Sequence, residues 1–249
     1  MDALYSQRDY DYSPKGMIVS RGDGPLTTTS YAILGLLAIQ PWTTYELAQQ
    51  MDRSLGRLWP RAQSKIYEEP KKLVALGLAT ATPGATGRRP RTVYAITPAG
   101  RRALRAWLAQ PAAPPSLEWE QLLKVFFADH GTTADLTRTL ESIRDWSDDQ
   151  LDLHIAVGRS YLAGEAPFQK RAAVNQLPGT FLLLFAELVG EWARHALETV
   201  AAWPDDPREA QPDYAFMAEL LRGAERGRAR EALRRPARAA ANGAKAGRR

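Results

Sequence analysis

The chain of 249 residues has no cysteine. That excludes disulfide frameworks, thiolate nucleophiles and Cys-type zinc sites. Histidine is scarce. His130, His154 and His195 lie far apart in sequence, without clustered carboxylate partners, so neither a metal site nor a catalytic triad emerges. No Gly-rich strand–helix turn of the kind that cradles a nucleotide is present, which argues against an enzyme with a nucleotide-binding sheet. Long apolar runs are missing too. The most apolar stretch, 181–189, contains Glu187 and is shorter than the roughly 20 residues that cross a bilayer. The first 25 residues carry Asp2, Asp9, Asp11 and Asp23 and no apolar run, unlike a secretory signal. No cofactor, no catalysis and no membrane partner are expected.

What the chain does have is 45% hydrophobic residues, enough for a core, and an uneven charge distribution. Residues 26–110 hold twelve Lys and Arg against four Asp and Glu, 111–225 hold nine against nineteen, and 226–249 hold nine against one. One module is expected to face a polyanion while another is kept off it.

Residues 1–25 are polar and close on Gly22, Gly24 and Pro25, so they are expected to be disordered. Thr27, Thr28 and Thr29 supply an N-cap for a helix through Ile39 that is apolar nearly all round and therefore buried. Thr43 or Thr44 caps a second helix, with Leu47, Met51, Leu55 and Leu58 at helical spacing. A third helix is expected from Arg61 to Gly77, with Ile66, Pro70 and Leu73 inward and Arg61, Ser64, Glu68, Lys71 and Lys72 outward. Pro70 removes a helical hydrogen bond, which predicts a kink or tight turn over 66–70. Strands at 78–82 and 92–97 flank a turn-rich basic loop, the pattern of a β-hairpin wing. A fourth helix starts on the cap Thr97 with Pro98 at its first position.

Helix, helix, helix, basic wing, helix is a winged helix-turn-helix. Such a fold lays its third helix in the major groove of DNA, with the N-terminal residues reaching base edges. Arg61, Gln63, Ser64, Lys65 and Glu68 are the candidate readers, and donor geometry suits Arg or Lys to guanine and Gln to adenine. Lys71 and Lys72 lie farther along and suit phosphates. Thr44 at the start of the second helix suits a phosphate as well, and Tyr45 and Tyr67 are further candidates for DNA contact. Arg88, Arg89 and Arg91 on the wing fit phosphate or minor-groove contact; a solvated basic loop is the plainer alternative.

The segments Tyr31-Ala32-Ile33-Leu34-Gly35-Leu36-Leu37, Thr44-Tyr45-Glu46-Leu47, Ser64-Lys65-Ile66-Tyr67 and Arg91-Thr92-Val93-Tyr94-Ala95-Ile96-Thr97-Pro98-Ala99-Gly100 carry a resemblance to the PadR family of transcriptional regulators. It covers 26–110 well and 116–203 loosely. The resemblance implies a homodimer joined by its C-terminal helices, repression of nearby genes, and in some members release of DNA by a small aromatic molecule. Family members often carry Pro directly after the Ile-Tyr pair; here Glu68 stands in that place, and Pro70 comes two residues later.

After a linker with Pro111, Pro114 and Pro115, only helices are expected. The chain thus reads as mainly α: an N-terminal winged helix-turn-helix with a two-stranded β wing over 26–110, and an all-helical dimerisation domain over 116–203. One weak helix, 214–221, is expected in a mostly disordered Arg/Ala-rich tail over 204–249. Ser147 with Gln150 predicts a helix break, and Pro178-Gly179 is expected to precede a long helix. Phe126, Phe127, Leu184, Phe185, Leu188 and Trp192 exceed what a lone helix pair buries, which points to a homodimer. Trp119, Trp146, Phe185 and Trp192 form either an aromatic effector pocket or a plain core. The expected partner is double-stranded operator DNA in the cytoplasm, at the nucleoid. The competing reading is a non-enzymatic interaction protein whose winged helix contacts other proteins.

Overall fold

The computed structural model describes residues 26–56, 58–59, 65–86 and 89–228, with only the backbone described at 85, 86, 89 and 90. Expectations placed on 1–25, Arg61, Gln63, Ser64, Arg88 and 229–249 lie outside the described residues. The chain divides into two compact units between Ser116 and Leu117.

In the first unit, α1 (Thr28–Ile39) opens on a capping box. The Thr27 hydroxyl accepts the Ser30 N–H, and the Ser30 hydroxyl accepts the Thr27 N–H at 2.9 Å. Ile33, Leu34, Leu36 and Leu37 are buried, as an all-round apolar helix requires. A two-residue strand β1 (Trp42–Thr43), too short to leave a pattern in the sequence, leads into α2 (Thr44–Gln50). The expected single helix through Leu58 does not form. From Met51 to Leu55 the chain widens into a π-type turn, with the Gly56 N–H on the Met51 carbonyl at 2.7 Å. The extra residue in that turn breaks the helical register. Leu47 and Met51 stay buried, whereas Leu58 is 41% exposed.

The third helix also begins later than the sequence predicts. Helix α3 spans Glu69–Ala75, and Ile66 to Glu68 form a turn closed by the Glu68 N–H on the Lys65 carbonyl at 3.1 Å. Pro70 is the reason. It has no N–H to offer the Ile66 carbonyl, so helix through 66–70 would lose a bond, whereas in the first turn of a helix proline costs nothing. Ile66, Pro70 and Leu73 are buried, as expected. Gly77 takes a left-handed φ of 69° after α3, and the paired bonds Gly77 N–H to Val74 and Leu78 N–H to Leu73 close the helix as a Schellman motif.

Strands β2 (Ala79–Thr86) and β3 (Arg89–Ile96) pair antiparallel from Ala79↔Ile96 to Thr86↔Arg89. They are longer than expected and absorb Pro83 and Pro90. Both prolines are tolerated because β2 is an edge strand and β1 reaches only Val93 and Tyr94 of β3. The wing hairpin thus grows from a three-stranded sheet, β1-β3-β2. Helix α4 (Pro98–Leu108) starts on Thr97 with Pro98 at N1. Gly100 packs directly on the Leu78 carbonyl, and a Cβ there would overlap it. The Tyr31 ring stacks on Trp107, centroids 5.0 Å apart.

The second unit comprises α5 (Glu120–Phe126), α6 (Thr133–Leu162), α7 (Ala172–Val200) and α8 (214–228). Leu136, Leu140, Ile143, Val189, Ala193 and Val200 form its core. Two expectations fail here. Helix α6 runs unbroken through Ser147, because that side chain is fully buried and donates to the Ala186 carbonyl at 2.8 Å instead of capping a new helix. Pro178 lies inside α7, which starts at Ala172. Opposite Ser147, Gly190 leaves no room for a Cβ, so the two long helices cross closely there. Helix α8 continues to 228, past the expected 221, within a stretch read from sequence as mostly disordered.

Candidate nucleic-acid interface

Helix α2 begins on a reciprocal cap. The Glu46 carboxylate accepts the Thr43 N–H and the Thr43 hydroxyl, both at 2.8 Å. Those bonds, with a lesser contribution from the Arg91 charge, hold the Glu46 carboxyl below its ordinary value. Pairing of β1 with β3, Thr43 opposite Val93, brings the root of the wing beside the start of α2. Thr44, Tyr45 and Arg91 are thereby gathered. Tyr45 is 68% exposed, and its hydroxyl accepts the Gln49 amide at 2.8 Å.

Lys65 sits in the turn before α3, largely exposed and 3.9 Å from Glu68. Tyr67 is 62% exposed and Lys71 is exposed on the first turn of α3. Lys72 is half-buried, 3.4 Å from the Glu69 carboxylate. The exposed Lys65–Glu68 pair contributes little to stability, so Lys65, like the exposed Lys71, remains available to an outside anion. Arg89 has its backbone opposite Thr86 on the wing.

Glu69 was not among the residues expected at this site. It is buried, the first residue of α3, and accepts a 2.7 Å hydrogen bond from the buried Ser30 hydroxyl of α1. Buried carboxylates need such donors. The signal was the adjacent Pro70, which places Glu69 at a helix start, where an acid is favoured.

The aromatic set in the second unit is partly gathered. Trp119 lies 6.1 Å from Trp146, Trp146 6.4 Å from Phe185, and Phe185 6.2 Å from Phe181. Trp119 and Phe185 pack against the core. Trp192 lies two turns beyond Phe185 on α7 and is partly exposed. Of the candidate dimerisation residues, Phe126 is 76%, Leu184 61% and Leu188 63% exposed and Phe127 is exposed too, whereas Phe185 is half-buried against the core. With Val174, Leu177 and Phe181, also exposed, Leu184 and Leu188 follow a spacing of three and four along α7, the spacing that coiled-coil seams use. Because α7 starts at Ala172, the segment Gln169–Val200 is, by length and composition alone, long and apolar enough to cross a bilayer, a possibility the shorter stretch 181–189 had not raised.

Residues 33–106 match the family described as "Transcriptional regulator PadR-like family". Over 100 residues the chain is 34% identical to the negative transcriptional regulator PadR of Bacillus subtilis, covering 39% of this chain and 54% of that protein. Residues 33–106 thus form a PadR-like domain. Over 85 residues the chain is 36% identical to the probable transcriptional regulator Rv1176c of Mycobacterium tuberculosis, covering 34% of this chain and 45% of that one. The chain thus spans about half the length of the curated relatives it matches. Residues 119–201 match a second family, "Virulence activator alpha C-term".

PadR-like architecture extends over both units. The Bacillus subtilis PadR structure in complex with operator DNA superposes with a TM-score of 0.61 at 23% identity, covering 70% of this chain and 99% of that one. The same protein in complex with p-coumaric acid gives 0.54 at 23% identity over 72% and 99%. The Vibrio cholerae virulence activator AphA gives 0.54 at 24% identity over 70% and 99%. Identities this low show the fold, here a mostly helical PadR-type winged helix with a C-terminal helical region.

Proposed function

We propose that this chain is a sequence-specific double-stranded DNA-binding regulator that acts as a homodimer. The observation that carries the reading is the β1–β3 pairing, which sets the basic wing beside α2 while Lys65, Tyr67 and Lys71 stay exposed around α3. In this reading Lys65, Tyr67 and the preceding Arg61, Gln63 and Ser64 read bases. Thr44, Tyr45, Lys71, Lys72, Arg88, Arg89 and Arg91 hold phosphates.

A palindromic operator needs two reading helices, which one chain does not supply. The exposed seam of α7, with Phe127 just beyond the end of α5, is the surface on which a second copy docks. Its opposite side is already packed on α6 through Ala186, Val189 and Ala193. The acidic helical unit keeps that surface away from DNA. Repression is the sign we infer, after the negative regulator to which the chain is similar. Release by a small aromatic molecule is inferred from the relative crystallised with p-coumaric acid, with Trp119, Trp146, Phe185 and Trp192 as the candidate contacts. The site of action is the cytoplasm, at the nucleoid.

Selection of bound duplexes from a randomised library, followed by footprinting of the winner, tests this. The expected result is a palindrome with half-sites about one helical turn, roughly ten base pairs, apart. A library that never enriches would leave the winged helix as a protein-contact module and overturn the proposal.

A further inference from the structure

The chain continues beyond residue 201, where the second family match ends. Residues 202–228 fold back onto the helical unit. The Thr133 N–H donates to the Asp205 carbonyl at 3.0 Å, Trp203 packs on the core, and the Phe216 ring of α8 meets the His195 ring of α7 with centroids 3.7 Å apart. Between this returning segment and helices α5, α6 and α7 lies an open cleft of about 500 Å³. That volume is in the range of small-molecule sites.

The lining has a definite chemistry. Leu136, Leu140 and Val200 form an aliphatic floor, and Phe126, Trp203 and Phe216 supply aromatic walls. Asp129 and Asp213 stand at the polar edge; among the described residues no Lys or Arg lines the cleft, and the His195 imidazole, which does, lies against the Phe216 ring. Arg208 feels the Asp129 charge, but its guanidinium is bonded to Asp206 at 2.6 to 3.1 Å, so that pair is neutral. His130 lies 3.9 Å from Asp129 on the outside, its side chain exposed. The Asp213 carboxylate caps α8 by accepting the Phe216 N–H at 2.9 Å, which ties the acid to the aromatic wall.

We propose that this cleft binds a small flat organic cation, an aromatic amine or its quaternary analogue, one per chain. Aromatic faces attract cations, and two carboxylates at the edge of an apolar concavity add charge complementarity. Segment 111–225, with nineteen acids against nine bases, extends the same field outward. An aromatic acid would meet two like charges there, so the ligand class differs from the acid found with the Bacillus relative. The site is built by the C-terminal extension and involves none of Trp119, Trp146, Phe185 and Trp192. Binding does not depend on the reading of the chain as a DNA-binding regulator.

The test uses two dyes with the same xanthene ring and opposite charge, rhodamine 6G and fluorescein, titrated by fluorescence polarisation against the full chain without DNA. Rhodamine 6G is expected to saturate at one per chain and to bind at least about tenfold more tightly than fluorescein. The double variant Asp129→Asn/Asp213→Asn should weaken rhodamine binding about tenfold, and Ala196→Phe, which fills the cleft without changing charge, should abolish it. Thermal melting of each variant shows that it is folded. Equal binding of the two dyes, or variants that bind rhodamine like the parent, overturns the proposal. So does conversion of a dimer to monomers by Ala196→Phe, which would make the cleft a contact between copies. Loss of DNA binding by the parent would sink the regulator reading alone and leave the dye result intact.

Discussion

The Ser30 hydroxyl donates a 2.7 Å hydrogen bond to the Glu69 carboxylate, joining the first turn of α1 to the first turn of α3, both side chains buried. A seven-residue helix is too short to hold itself together, so its placement comes from contacts such as this one. Glu69→Ala and Ser30→Ala should each cost about 1–3 kcal/mol, the range for a buried polar group stripped of its partner. In a double-mutant cycle read by urea unfolding the two should be coupled by at least about 0.5 kcal/mol. Additive losses would mean that the bond does not hold α3 in place.

Gly100→Ala is expected to destabilise the first unit, because the added methyl would overlap the Leu78 carbonyl and press on Ile96. Overpacking against backbone costs about 1–3 kcal/mol. Chemical denaturation checks it. Gly35→Ala, where nothing lies near the added Cβ, is the internal control and should not share the loss.

Acid sensitivity arises at the cap on α2. The Glu46 carboxyl is depressed in the folded chain by its bonds from Thr43, against an ordinary value of 4.5. Its contribution is therefore complete above pH 4.5 and is lost as pH falls through the lower folded value. Glu46→Gln should flatten the melting temperature between those two points and leave the acid limb from Asp135 and Asp206 in place. Thr132 depresses the former in the same way, and Arg208 holds the latter at about 2. Thr43→Ala should cost about 1 kcal/mol at neutral pH.

Leu184→Asp with Leu188→Asp puts two charges on the exposed seam of α7. Sedimentation should show dimers becoming monomers, with operator affinity falling by well over tenfold. Circular dichroism should barely change, because neither side chain belongs to the core. A dimer that survives both charges would move the subunit contact elsewhere.

Much of this was legible from residues alone. Caps, prolines and turn glycines placed α1, the wing and α4, because Thr27, Thr97, Pro98 and Gly77 act through local geometry. What escaped depended on contacts distant in sequence. Strand β1 exists only because Trp42 and Thr43 find β3. Ser147 looked like a cap until α7 supplied the Ala186 carbonyl. Pro70 is incompatible with continuous helix on local grounds, but the solution, a late start at Glu69, hid a buried acid. On α7, starting the helix at Pro178 concealed Val174 and Leu177, two of the five seam residues.

The central claim is specific recognition of duplex DNA by the surface around α3. It is tested most directly by fluorescence anisotropy of the selected duplex and a scrambled one, at about 50 and 200 mM salt. The selected site should be preferred by at least about 10³. Affinity should fall steeply with salt; Lys65→Ala should narrow the preference, and Arg91→Ala should weaken both duplexes alike. Equal affinity for the two duplexes at both salts would contradict it.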